Sequence, residues 1–520
     1  MPARTTPDPD YGIGDALARG DWESAATIVE RWNVEFFSSA IYDRYVEVVA
    51  HAPDDVHERH PLLTYSAEVI HLREPSKELP VFDLERLKAG GEPGLVELRR
   101  IIAAVTARRV RGLVADSVAI AETVTPAVLE AVRRRSDLPA TSASLFFLQV
   151  GLTYELAGDE VASRRTHLLG WQFRSVASPD FVVRDLASKL AMSSARDGDN
   201  VDALRWIEEG RALPASGQSP WRFSEAVDLG FVISEFMVAV NRYDLVRINE
   251  LIFRLPRPTD FAEHFHFILL ARSIHLISMN RAVEALTLVD DTAIALDHLI
   301  AGEAIYRLRL DLIRARAYLA LGRTDQALEI LDNDAAYGDH SLVLRARAHA
   351  LRFDYASALE ELEDLSEKAD RRKMLEATVL RAVCHFNLAQ TEEARRTFAV
   401  FVAAVGDNLQ VLTTVPQGAI QGLFGLLSDL PAARQLEAQW GKLGIVDSYP
   451  FAAQNLSLTD RERVLLFKLS RGDSRQLIAS SEYVSINTVK KQLTRLYAKF
   501  NANSRAELLA KATSLGFLER

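Results

Sequence analysis

Cysteine is almost absent from this chain, with one residue, Cys384, in 520. A lone thiol excludes an intramolecular disulfide framework and a cysteine-rich metal site. Within RAVCHFNLA it reads as a small, buried, chemically inert hydrophobe. Long apolar runs are missing as well: no stretch reaches the roughly 18 residues that a membrane-spanning helix needs. The opening MPARTTPDPDYG is polar and has no apolar centre of the kind a secretory signal carries, so a cytoplasmic protein with no membrane partner is expected. Catalytic signatures are absent too. There is no G-x-x-x-x-G-K-[ST], and the one Gly-Lys pair, Gly441-Lys442, is followed by leucine and lacks the upstream glycine. H-E-x-x-H, G-x-S-x-G and paired-carboxylate patterns do not occur, so no catalytic residue, metal ligand or cofactor is assigned and the chain is read as a non-enzyme.

What is present is ordinary in amount and uneven in distribution. Hydrophobic residues at 48% and charged residues at 25% suit a soluble globular protein, and the length suits two or more domains. The net charge is −10, yet Leu458 to Arg520 holds 12 Lys+Arg against 6 Asp+Glu, leaving −16 on the rest. A basic tail on an acidic body predicts an anionic partner for the tail alone, since the body repels nucleic acid.

Before that tail, nearly every segment has the period of an amphipathic helix, in pairs joined by short breaks. In RARAYLALGRTDQALEIL, Ala315, Tyr318, Gly322, Ala327 and Leu331 stand at fixed spacing. Ala346, His349, Phe353, Ala358 and Leu362 repeat that spacing, and so do Ala382, His385, Ala389, Ala394 and Phe398. The pattern resembles tetratricopeptide repeats, whose period is about 34 residues. Weaker copies run through Gly151, Tyr154, Gly158 and Ser163, through Ala191, Ser194, Gly198, Ala203 and Ile207, and through Gly20, Ala25 and Val29. The expected organisation is a disordered 1–10, a helical repeat solenoid over 11–440 that is clearest at 307–400, a linker at 441–457 and a separate domain at 458–520. Residues 73–94, rich in proline and glycine, read as an irregular loop, and the segment after Gly406 as an atypical capping pair. His349 and His385 occupy equivalent repeat positions and are read as packing residues rather than ligands.

The tail reads as four short helices. Thr459 and Glu462 make a capping box, Gly472 ends the first helix, Ser474 opens a second, and a turn runs through Glu482 and Tyr483. Ser485 caps the third helix, and Ser504 with Glu507 opens a fourth that closes at Gly516. On a helical wheel of the third, Val489, Leu493, Leu496 and Phe500 form one apolar stripe. Asn487, Lys490, Lys491, Thr494 and Ala498 lie opposite. Helix, turn and basic-faced helix together predict a helix-turn-helix.

Leu458, Thr459, Arg461, Glu462, Leu466, Gly472, Ser474, Ile478, Ala479, Ser485, Thr488, Val489, Lys490, Lys499, Phe500, Ser504 and Arg505 stand in register with a known pattern. The tail resembles the LuxR-type helix-turn-helix family of transcriptional regulators, and the whole resembles the repeat-plus-effector part of the large ATP-binding LuxR regulators, without their ATPase. The fold class expected is therefore all-α. The resemblance implies base contacts by Lys490, Lys491 and Thr494, with Asn487 beside them at the helix N-terminus. It also suits phosphate contacts by Ser485, Thr488, Arg495, Lys499 and Arg505. It implies double-stranded DNA with an inverted-repeat site, a homodimer paired through the last helix, and a nucleoid-associated protein. A protein or small-molecule effector is expected in the repeat groove. The alternative is an interaction scaffold with a degenerate tail, favoured by Glu482 where the family has a buried leucine. Leu477 and Gln492 also depart from the family pattern.

Overall fold

The computed structural model describes residues 12–36, 42–70, 79–80, 94–134, 140–175, 178–213, 221–260, 264–297, 304–332, 338–366, 369–444, 458–500, 502, 504–514 and 517–518, with only the backbone given at some helical positions. Among these the chain is helical and contains no strand. The expected disordered N-terminus and most of the expected loop and linker lie outside the described residues. By contact the chain divides into two compact units. One comprises Met1–Val238, Asn249–Ile268 and Ala293–Arg307; the other comprises Ala239–Ile248, Leu269–Thr292 and Leu308–Arg520.

One local device recurs along the described helices. Nine helical hairpins are built alike: Ile13–Ala18 with Trp22–Phe36, Leu95–Val110 with Val114–Arg133, Ala140–Ala157 with Glu160–Gln172, Asp180–Arg196 with Asn200–Ala212, Trp221–Arg242 with Leu245–Leu251, Phe265–Ser278 with Ala282–Ala295, Ala304–Ala320 with Thr324–Asp332, Gly338–Leu351 with Tyr355–Glu363, and Arg371–Asn387 with Thr391–Ala404. Each turns at a left-handed residue with φ between 56° and 84°: Gly20, Gly112, Gly158, Gly198, Tyr243, Asn280, Gly322, Phe353 and Ala389. The next residue donates its N–H to the carbonyl five positions back, at 2.8–3.0 Å, which satisfies a helix-end carbonyl that would otherwise be orphaned. Aspartate then starts the second helix in five hairpins. Asp21, Asp159, Asp199, Asp244 and Asp354 accept from the backbone N–H three residues on, at 2.8–3.3 Å.

Five residues beyond each turn, a side chain is buried where the two helices meet: Ala25, Ser117, Ser163, Ala203, Ile248, Ala285, Ala327, Ala358 and Ala394. Eight of the nine are small, because a bulkier side chain there would push the helices apart. Gly151 works in the same way, since a Cβ on it would come within 2.3 Å of the buried His167 ring. Neighbouring hairpins lean on one another. Glu160–Gln172 packs on Asp180–Arg196, and Tyr355–Glu363 packs on Arg371–Asn387. After Gly406 the pattern changes to a 3-10 turn, Leu409–Thr414, and a last helix pair, Gln417–Leu426 and Pro431–Lys442. There the Phe386 ring lies 2.4 Å from where a Gly422 Cβ would stand, so this pair too docks through a missing side chain.

Cys384 is buried, and burial pushes its thiol up to about 12. His349 and His385 are half-buried, as Tyr318 is at the equivalent position. His385 Nδ1 lies 2.6 Å from Gln390 Oε1 and His349 Nδ1 lies 3.7 Å from Asp354, so both reach the residue just past their own turn. Deeper in the same unit, Glu376 is buried beside Arg347 at 2.8 Å and Arg316 at 3.5 Å. Burial alone would raise its carboxyl; the charges of Arg316, Arg347 and Arg372 outweigh that and hold it at about 2.

Candidate nucleic-acid interface

The C-terminal segment folds as four helices, Asp460–Ser470, Arg475–Ser481, Ile486–Lys499 and Arg505–Ser514. The first is fixed by the expected capping box: Thr459 N–H donates to Glu462 Oε2 at 2.9 Å, and Glu462 N–H donates to Thr459 Oγ1 at 3.3 Å. Gly472, at φ 89°, ends it, and the Asp473 N–H returns to the Lys468 carbonyl at 3.1 Å. Ser474 caps the second helix by accepting from Leu477 N–H at 3.2 Å. A turn at Tyr483, φ 55°, closes with Val484 N–H on the Ala479 carbonyl at 3.0 Å. Ser485 then caps the third helix, accepting from Thr488 N–H at 3.1 Å.

This third helix is sharply two-faced. Val489, Leu493, Leu496 and Phe500 are buried in the core with Leu465, Leu466, Leu469, Ile478, Leu508 and Ala512. Asn487, Lys490, Lys491 and Thr494 are exposed together on the far side. Core burial on one side thus fixes which groups the helix offers to a partner. Thr494 Oγ1 donates to the Lys490 carbonyl at 3.0 Å, which leaves its lone pairs and methyl facing outwards.

The expected phosphate set divides. Ser485 and Thr488 are exposed at the helix N-terminus, their hydroxyls 2.8 Å apart, where backbone N–H groups and the helix dipole favour an anion. Arg505 is half-buried and donates to the Leu469 carbonyl, so it also ties the fourth helix to the end of the first. The side chains of Arg495, Lys499 and Glu507, together with Gly516, lie outside the described residues. In the fourth helix, Leu508 and Ala512 are buried in the core, while Leu509 is only partly buried.

Glu482 is exposed and pairs with Lys468, whose ammonium also donates to Ser481 Oγ at 2.6 Å. No carboxylate is therefore buried where the family carries leucine. Residues 456–512 match the family described as bacterial regulatory proteins, luxR family.

This segment is a LuxR-type helix-turn-helix domain.

A domain of this family supports a DNA-binding transcriptional regulator. No curated protein matches the chain. Among the described residues no helix is long and apolar enough to cross a membrane. Within the LuxR-type domain, sequence reasoning overlooked Tyr483 as a surface group. It lies beside the helix Ile486–Lys499 and is 96% exposed. Its left-handed backbone left no trace in the sequence because no glycine marks it.

Proposed function

We propose that the helix Ile486–Lys499 lies in the DNA major groove and reads sequence there. The observation that carries this is the exposed set Asn487, Lys490, Lys491 and Thr494, opposite the buried stripe that anchors the helix. Lysine donates to guanine O6 or N7, and threonine offers a hydroxyl to base edges or a methyl to thymine. Asn487 suits adenine. Ser485, Thr488, Arg495, Lys499 and Arg505 act on phosphates, which set register without specifying sequence. Two copies pair on an inverted repeat about one helical turn across.

The hairpins before the domain serve as a tetratricopeptide-like sensor or protein-interaction module. Nine hairpins with one turn design and one buried small position support this, because repeat proteins build extended binding surfaces that way. An effector held there changes whether two C-terminal domains pair on DNA. That coupling fails if the full chain and its C-terminal domain bind a target equally under every effector tested.

The test of DNA reading is capture of sheared genomic DNA by the full chain, beside a Lys490→Ala/Lys491→Ala variant. Wild type should enrich fragments with a common inverted repeat, and the variant should lose at least about tenfold in affinity for them while staying folded. Equal enrichment by both proteins would remove these lysines from the interface.

A further inference from the structure

Five described residues other than glycine hold a left-handed backbone: Tyr243, Asn280, Phe353, Ala389 and Tyr483. This conformation drives Cβ towards the following carbonyl oxygen and is strained for a bulky residue. Four of the five have a local reason. Asparagine tolerates the region, and alanine has the smallest side chain. Tyr243 and Phe353 are only 3% and 6% exposed, so core packing of the ring offsets the strain. Tyr483 has no such compensation: its ring is 96% exposed, in a turn that glycine or asparagine would make with less strain. Strain that the fold itself does not repay concentrates where a residue meets a ligand.

Its position says which ligand. Tyr483 stands two residues beyond the end of the second helix and two before Ser485, the cap of the recognition helix. The turn is tied on both sides, by Glu482 N–H on the Ile478 carbonyl and Val484 N–H on the Ala479 carbonyl, each at 3.0 Å. The phenol is therefore carried on a fixed backbone beside a helix N-terminus, where a DNA phosphate would sit.

We propose that Tyr483 contacts the DNA backbone, its hydroxyl donating to a phosphate oxygen beside the N-terminus of the recognition helix. The proposal rests on the DNA-binding reading above. It adds a neutral contact that holds the register while Lys490 and Lys491 meet the bases.

The experiment uses the full chain and a fluorescent mixed-sequence duplex of about 30 base pairs, titrated at several salt concentrations. Wild type is compared with Tyr483→Phe, Tyr483→Gly and Lys490→Ala/Lys491→Ala. Tyr483→Phe should weaken binding roughly tenfold through loss of a hydrogen bond to a charged group. Tyr483→Gly should weaken it at least as much while raising the melting temperature, because the turn strain is relieved. Neither should change the slope of affinity against salt, since no charge is lost, whereas the lysine variant should flatten it. Wild-type affinity in either tyrosine variant overturns the phosphate contact. If wild type fails to bind the duplex, or the lysine variant binds as wild type does, the DNA-binding reading itself falls, and this contact with it.

Discussion

Replacing Glu376 by glutamine keeps the shape of a fully buried side chain and removes its charge. In the wild type, burial would raise the carboxyl, yet Arg316, Arg347 and Arg372 carry it from 4.5 down to about 2. At about 1.4 kcal/mol per pH unit, that shift corresponds to about 3 kcal/mol of folding stability at neutral pH. A cost of this order is what breaking a buried ion pair brings, because the guanidinium groups stay buried without that carboxylate. For a unit of this size the melting temperature should fall by roughly 6–12 °C. The sign with pH follows from the depressed pKa. The contribution is complete above the unfolded value and is lost as pH falls through the folded one. The gap between wild type and Glu376→Gln should therefore be constant above about pH 5 and shrink to less than half by pH 3. Thermal unfolding of the full chain, followed by circular dichroism across that range, measures it. Equal melting at pH 7, or a gap that persists unchanged at pH 3, would refute the account of how this carboxylate is held.

Glu482→Leu restores the residue type usual in the family, yet it should leave stability within about 1 kcal/mol of wild type, because the Lys468 pair it removes is partly exposed. A melting curve on the full chain checks this, and a large gain would mean that the turn has room for a buried leucine. Gly230→Ala should cost about 1–3 kcal/mol, since its Cβ would stand 1.9 Å from Ser188 Oγ and 3.1 Å from Met192 Sδ. Adding Ser188→Ala should recover part of that loss, and strictly additive effects would show that the two sites do not meet.

The hairpins were legible where sequence supplies both the small buried position and a glycine turn, as at Gly20, Gly158, Gly198 and Gly322. Phe353 and Ala389 were read in register from spacing alone, although nothing in their chemistry announces a left-handed backbone. The hairpins turning at Gly112, Tyr243 and Asn280 went unread. The first, Gly112 with Ser117, carries both signals and was overlooked, whereas the second puts Ile248 at the buried position. A better signal was available: aspartate directly after the turn, which caps five of the second helices. In the tail, the outward set was legible because period and burial agree over Val489 to Phe500. The exposure of Glu482 was not, since a sequence does not show that Lys468 stands within reach. Arg505 was read for its charge alone, and its bond to the Leu469 carbonyl depends on how two helices distant in sequence meet.

The repeats and the DNA-binding domain are built with the same turn. Gly472 and Tyr483 are left-handed, and each is closed by the same bond to a carbonyl five residues back, at 3.1 and 3.0 Å. What differs is the fifth residue beyond the turn. In all nine hairpins it is buried. In the tail it is Leu477, 53% exposed, and Thr488, exposed on the recognition helix. One turn thus supports two outcomes. In the hairpins that residue belongs to the core, and in the tail it stays at the surface. The turn therefore does not decide which kind of unit forms. What separates the two is whether the fifth residue beyond it turns inward, as Ala25 and Ala394 do, or outward, as Leu477 and Thr488 do.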